Sequence, residues 1–187
     1  MEEKVLTHIN DQGRAKMVDV GEKEKTKRIA KAFAKVKLNE ETFNIVVNGK
    51  AKKGDVLAVS QVAGIMGAKK TSDIIPMCHP INLVGVDIEF NMNYENFEIE
   101  IIAITKCVGE TGVEMEALSA VSIAALTVYD MCKAIQRDIE ITDIKLLEKR
   151  KNYLNISQKE FWDKKFLNNV LRHWNYQFNI NVDLNEL

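Results

Sequence analysis

An α+β fold, an antiparallel sheet with helices packed on one face, is predicted by three observations on this sequence. Two β-rich runs, Leu83 to Met92 and Phe97 to Cys107, are separated only by Asn93-Tyr94-Glu95-Asn96, a hairpin signal with a loop of about four residues. Helical patterns lie before and after that hairpin. Period-two patterns stand near the start and again beyond the last apolar helix, so the order is strand, two helices, hairpin, helix, strand. That order is a split βαβ arrangement, the ferredoxin-like plan.

The elements follow in order. Residues 1–27 carry much charge and little periodicity, and read as an extended arm. Ala30, Ala32, Ala34, Val36 and Leu38 then alternate with Lys31, Phe33, Lys35 and Lys37, which argues for a strand despite the good helix formers. Glu40 to Val47 reads as a short helix stopped by Asn48-Gly49, and Asp55 to Met66 as a second, with Gly67 near its end. After the hairpin, every position from Ala117 to Val128 is Ala, Leu, Val, Ile, Ser or Thr, which predicts a helix buried on most of its circumference. Ile139, Ile141 and Ile144 alternate with polar residues toward Leu147 and give the closing strand.

These elements define a domain over residues 1–154. The remainder, 155–187, reads as a C-terminal helical extension in which Trp162, Phe166, Val170, Trp174 and Phe178 recur every fourth residue beside Leu167 and Leu171. Such an aromatic stripe either packs on its own domain or offers a docking surface to a partner.

Composition narrows the function classes. The chain has 187 residues with 26 basic and 27 acidic side chains, so no global charge points to nucleic acid or to a membrane surface, and any anion site has to be local. Cys78, Cys107 and Cys132 are odd in number and far apart, without zinc-ligand spacing, and read as free thiols in a reducing cytosol with no metal. The N-terminus has no apolar leader segment, and no unbroken apolar run reaches the ~18 residues of a membrane span. A soluble cytoplasmic protein is expected.

The residues that could carry chemistry flank the apolar helix. Glu114, Glu116, Asp130 and Lys133 sit at its ends, and buried charges persist only when paired or put to use. Thr111-Gly112-Val113-Glu114 fits a capping box, with Thr111 as N-cap and Glu114 reaching back. Glu114 and Glu116 do not share a helix face, whereas Asp130 and Lys133, three apart, do, and are either an ion pair or an acid–base pair. Pro76 and Pro80 bracket Met77-Cys78-His79, a stiff segment that either aims His79 or is a turn with an incidental imidazole.

Two features bear on assembly and on phosphate. From Glu114 to Asp130 is sixteen residues, or ~24 Å at 1.5 Å per residue, so a site uses one end or a second subunit brings its helix alongside. The small residues Ala117, Ser119, Ala120, Ser122, Ala124 and Ala125 permit close packing against the sheet or a partner. Lysines and arginine cluster at Lys23, Lys25, Lys27 and Arg28, at Lys50, Lys52 and Lys53, and at Lys69 and Lys70, and a phosphorylated substrate would need several to converge. Gly64 to Thr71 is not a P-loop, because its second glycine comes too early and a helical run precedes it.

Leu6-Thr7-His8-Ile9-Asn10, Met17-Val18-Asp19-Val20, Lys53-Gly54-Asp55-Val56, Lys69-Lys70-Thr71-Ser72-Asp73-Ile74-Ile75-Pro76-Met77-Cys78-His79-Pro80 and the run from Thr111 to Leu118 with Tyr129 to Lys133 fall in one register. Together they resemble the cyclic pyranopterin monophosphate synthase family, the MoaC family, over residues 6 to 149. The resemblance implies a lyase of molybdenum cofactor biosynthesis. Its reaction rearranges 3′,8-cyclo-7,8-dihydroguanosine 5′-triphosphate to cyclic pyranopterin monophosphate with release of pyrophosphate. It also implies ferredoxin-like subunits in a homohexamer of three dimers, interface sites and no redox cofactor.

Carried onto matching positions, the resemblance makes Asp130 and Lys133 the central acid–base pair. Lys53 and His79 stand beside them as proton carriers or stabilisers of phosphate charge. Glu114 and Glu116 hold the purine-derived ring, Asp19, Lys23 and Arg28 position the triphosphate, and Cys78 and Lys149 complete the substrate contacts. After Lys149 the family pattern enters a flexible Gly-Gly-Lys-Ser-Gly segment, whereas this chain reads Arg150-Lys151-Asn152-Tyr153. Either Lys151 replaces the missing lysine or loop closure is impaired. A reading from another class, a non-catalytic nucleotide-binding or scaffold subunit, is favoured by that departure and by the aromatic extension. Retention of Lys53, His79, Glu114, Glu116, Asp130 and Lys133 opposes it.

Overall fold

The protein's structure, a computed structural model, describes residues 9, 10 and 12–152. Its elements in chain order are β1 (Thr26–Lys37), α1 (Glu40–Val47), α2 (Val56–Lys69), α3 (Thr71–Ile74), β2 (Leu83–Asn93), β3 (Glu98–Gly109), α4 (Glu114–Cys132) and β4 (Glu140–Asn152). The strands form one four-stranded sheet in the order β2-β3-β1-β4, each neighbour antiparallel, which is the ferredoxin-like arrangement expected from the sequence.

Alternation on the central strands decides which face carries the helices. Ala30, Ala32, Ala34 and Val36 of β1 and Ile99, Ile101 and Ala103 of β3 are fully buried, with Ala32 opposite Ala103 and Ala34 opposite Ile101. Helix α4 lays Ala117, Ala120, Val121, Ala124, Ala125 and Val128 into the same core. Burying such apolar surface, at ~25 cal/mol per Å², is the main drive for docking the helix on the sheet.

The small residues of α4 have a partner within the chain, which the sequence reading had not singled out. A Cβ at Gly64 of α2 would overlap Ile88 and lie 2.9 Å from the Ala120 carbonyl oxygen, and one at Gly67 would lie 2.8 Å from Ile123 and 3.2 Å from the Ser119 carbonyl oxygen. The backbones of α2 and α4 therefore touch. Gly67 is a packing position and not a stop, so α2 runs on to Lys69, where the Lys70 N–H bonds back to Met66 and Gly67. Side-chain caps open the first two helices. Asp55 accepts from the Ala58 N–H at 3.0 Å and Asn39 from the Thr42 N–H at 2.8 Å, capping α2 and α1.

Three expectations need correction. The capping box does not form: α4 starts at Glu114 with Val113 as N-cap and no side-chain cap, because Glu114 is drawn to a lysine on β4 instead. Nor is α4 buried on most of its circumference, since Leu126 is 54% exposed, and Val59, Val62 and Met66 of α2 are exposed as well. By length and composition alone α4 passes as a membrane span, yet half of that stretch is buried in the fold, as befits a core helix. Finally, β4 continues past Leu147 to Asn152, because Lys27 and Arg28 of β1 offer pairing partners to Asn152 and Lys151. The one-turn helix α3 was not anticipated.

Of the arm, Ile9 bridges to Ala15 around a turn in which Asn10 accepts from the N–H groups of Gln12 and Arg14. The amphipathic helix expected over 155–187 lies outside the described residues.

Candidate active site

A cavity of about 420 Å³ opens at the N-terminal end of α4. Three stretches meet there: Val18, Val20 and Lys23 of the arm, Ile75, Met77, Cys78, His79 and Ile81 before β2, and Thr111, Gly112, Glu114, Met115 and Glu116. The two prolines flank His79, whose Nε2 lies 2.7 Å from the Val18 carbonyl oxygen. A carbonyl only accepts, so Nε2 carries the proton, and the imidazole pins the arm to the cavity rim.

The two glutamates at the start of α4 differ. Glu114 receives Lys149 Nζ from β4 at 2.6 Å, and its other oxygen, Oε2, is buried without a partner among the described residues. Gly112 makes room for it, since a Cβ there would overlap Glu114 Oε2 and come within 3.0 Å of Lys149 Cε. Glu116 is only 3% exposed and its Oε2 also lacks a partner among the described residues. Burial, helped by the charge of Glu114 and opposed by its own backbone N–H, pushes the Glu116 carboxyl up to about 7. Burial and the same two glutamates raise the Cys78 thiol, which leaves it a poor nucleophile.

Arg28 does not line the cavity. Its guanidinium donates to the Gly109 and Glu110 carbonyl oxygens at 3.4 and 2.8 Å, holding the end of β3. Asp19 is exposed and accepts from the Gly21 N–H at 2.9 Å.

A second cluster stands at the other end of α4. Lys133 Nζ lies 2.6 Å from Asp130 Oδ1, and Lys53 Nζ donates to the Asp130 carbonyl oxygen at 2.8 Å while sitting 3.3 Å from Oδ2. Hydrogen bonds from Lys133 and then Lys53 hold the Asp130 carboxyl below its ordinary value, and Asp130 in turn raises Lys133. These charges are not buried as the sequence suggested. Asp130's side chain is 57% exposed, because it sits on the solvent side of the last turn of α4, whose other side buries Met131 and Cys132. An exposed ion pair adds little stability, so fold stability does not explain two ammonium groups converging on one carboxylate.

One chain thus gathers Lys23, Cys78, His79, Glu114, Glu116 and the Glu114 partner Lys149 at one end, and Lys53, Asp130 and Lys133 at the other. The two sets are separated by sixteen helical residues, ~24 Å. The apolar walls Val18, Val20, Met77 and Ile81 were not picked out from sequence as cavity residues, because apolar residues in irregular segments carry no periodic signal. Among the described residues no three His, Cys, Asp or Glu side chains gather as metal ligands.

The fold and cavity define a ferredoxin-like α+β protein with an acid-lined pocket for a small molecule. A family model described as the MoaC family matches residues 17–152, and the chain belongs to that family. It is similar to proteins named cyclic pyranopterin monophosphate synthase from Thermoanaerobacter pseudethanolicus, at 57% identity over 83% of this chain and 98% of the relative, and from Clostridium acetobutylicum, at 59% over 78% and 90%. A third, from Peptoclostridium acidaminophilum, is 60% identical over 77% of this chain and 90% of its own length.

Proposed function

We propose that this protein is a cyclic pyranopterin monophosphate synthase, converting 3′,8-cyclo-7,8-dihydroguanosine 5′-triphosphate to cyclic pyranopterin monophosphate and pyrophosphate in molybdenum cofactor biosynthesis. The observation that carries the reading is the convergence of Lys53 and Lys133 on Asp130, at the positions matched to the family's central residues. With Asp130 held low and Lys133 held high, the resting pair is carboxylate and ammonium. Lys133 then serves as proton donor and Asp130 as acceptor, while Lys53 and the ammonium of Lys133 offset charge developing on phosphate oxygens.

At the cavity, Glu114 and Glu116 hold the purine-derived ring, His79 and Cys78 border it, and Lys149 fixes Glu114. Asp19, Lys23 and Arg28 position the triphosphate from the arm and β1. Because one subunit keeps the two clusters ~24 Å apart, a neighbouring copy completes each site. The exposed apolar residues of α2 and α4 support such contact, within a cytoplasmic hexamer of three dimers. In this reading residues 1–154 form the catalytic domain, and 155–187 are an addition with no part in the chemistry. Lys151 follows Lys149 in the same row of β4, opposite Arg28, which supports it as the stand-in for the family's loop lysine.

Continuation of β4 where the family has a glycine-rich segment favours the second reading, a subunit that binds the nucleotide without converting it. Purified protein supplied with the cyclised dihydro-GTP separates the two. Equimolar pyrophosphate and pterin product support the synthase, and saturable binding without pyrophosphate supports the binding subunit.

A further inference from the structure

We infer that Glu116 stands in the cavity as a neutral carboxylic acid and donates a hydrogen bond to a ring oxygen of the ligand, beside an ionised Glu114. This deepens the proposed function and rests on its assignment of a guanine-derived ring to this cavity.

The geometry separates the two carboxyl groups. Lys149 gives its ammonium to Glu114 at 2.6 Å, and among the described residues no cation pairs with Glu116. The groups around Glu116 are Glu114 from its own helix, Lys23 from the arm, which lines the same cavity and makes no ion pair with it among the described residues, Cys78 and His79 from the segment before β2, and Cys107 from β3. Arg28, across the strands from Cys107, directs its guanidinium to the carbonyls of Gly109 and Glu110. An ionised Glu116 would then be a buried charge next to another anion, with Oε2 lacking a hydrogen-bond partner among the described residues. Holding the proton removes that cost, and the burial-driven rise described above acts in the same direction.

The proton changes what the cavity recognises. Two carboxylates offer only acceptors, whereas an acid and a carboxylate offer a donor and several acceptors. A 2-amino-4-oxopyrimidine edge presents an acceptor oxygen, a ring N–H donor and an amino donor in a row. The acid of Glu116 would pair with the oxygen and ring N–H, and the carboxylate of Glu114 would take the amino group. Glu116 is therefore a specificity residue for the oxo form of the ring.

Two measurements on the whole protein test this. Infrared difference spectra without ligand should show a protonated-carboxyl band that titrates away near pH 7 and is absent in Glu116→Gln. Binding of pterin itself, a ring with that edge, should weaken by up to about tenfold per pH unit above pH 7 in the wild type. Glu116→Gln, which keeps a donor and an acceptor but cannot ionise, should bind with a smaller pH slope over the same range, and the ligand's own titration is common to both proteins. A wild-type protein with no such band, equal slopes in the two proteins, or Glu116→Gln as defective as Glu116→Ala would overturn the proposal. Failure to form product from the cyclised dihydro-GTP would count against the proposed reaction and leave these results standing.

Discussion

Lys149, in the last strand, holds Glu114, in the first turn of α4, at 2.6 Å across the rim of the cavity. That contact ties the strand that departs from the family pattern to the helix that carries the acidic residues, and it separates Glu114 from Glu116 in charge. The room for it is provided by Gly112, whose missing side chain leaves space for Glu114 Oε2.

Gly112→Ala should therefore displace the Glu114 carboxylate from Lys149 at little structural cost, since only the end of a flexible side chain has to move. Losing one charge-assisted hydrogen bond to the bound ring corresponds to about a tenfold rise in KM, with a thermal midpoint near that of the wild type. An unchanged KM would place Glu114 outside the binding site.

Asp130→Asn and Lys133→Ala should each lower kcat by ~10²–10⁴ while leaving the fold and ligand binding largely intact. Both side chains are exposed and the pair contributes little stability, so circular dichroism and melting should barely change. Turnover near the wild-type level in either variant would remove the pair from the mechanism.

Stability should depend on pH through Glu116. Its folded-state carboxyl titrates at about 7 against an ordinary 4.5, so the folded protein holds a proton that the unfolded chain releases between those values. The contribution is full below pH 4.5 and is lost as pH rises through 7, by at most about 3 kcal/mol. Glu116→Gln removes the effect. Its unfolding midpoint should exceed that of the wild type on the alkaline side of neutrality and approach it in mild acid; parallel curves would refute a raised carboxyl.

Gly64→Ala and Gly67→Ala should each destabilise by about 1–3 kcal/mol, because the added methyl meets Ile88 and Ile123 and the backbone of α4. Gly109→Ala, where a Cβ meets open space, serves as the control in chemical denaturation. Equal midpoints for all three would mean that α2 and α4 are not in backbone contact.

The sheet and its hairpin were legible because alternation on β1 and β3 places Ala30 to Val36 and Ile99 to Cys107 on one face, and a period of two is a strong local signal. The start of α4 was not, since the choice between a capping box and an ion pair for Glu114 depends on Lys149, thirty-five residues away. Gly67 likewise reads as a stop until α4 lies against it. Within the site, charged and imidazole side chains announced themselves, but their grouping at two ends of one helix and the apolar walls of the cavity are tertiary facts.

The most direct test of a reaction run jointly by both ends of α4 is turnover of the cyclised dihydro-GTP by mixed oligomers. Lys23→Ala and Lys133→Ala would each be inactive alone, and their equimolar mixture, after verified subunit exchange, should recover about a quarter of wild-type pyrophosphate release, since one arrangement in four leaves a shared site intact. No recovery from demonstrated mixed oligomers, alongside an active wild type, would contradict a shared site.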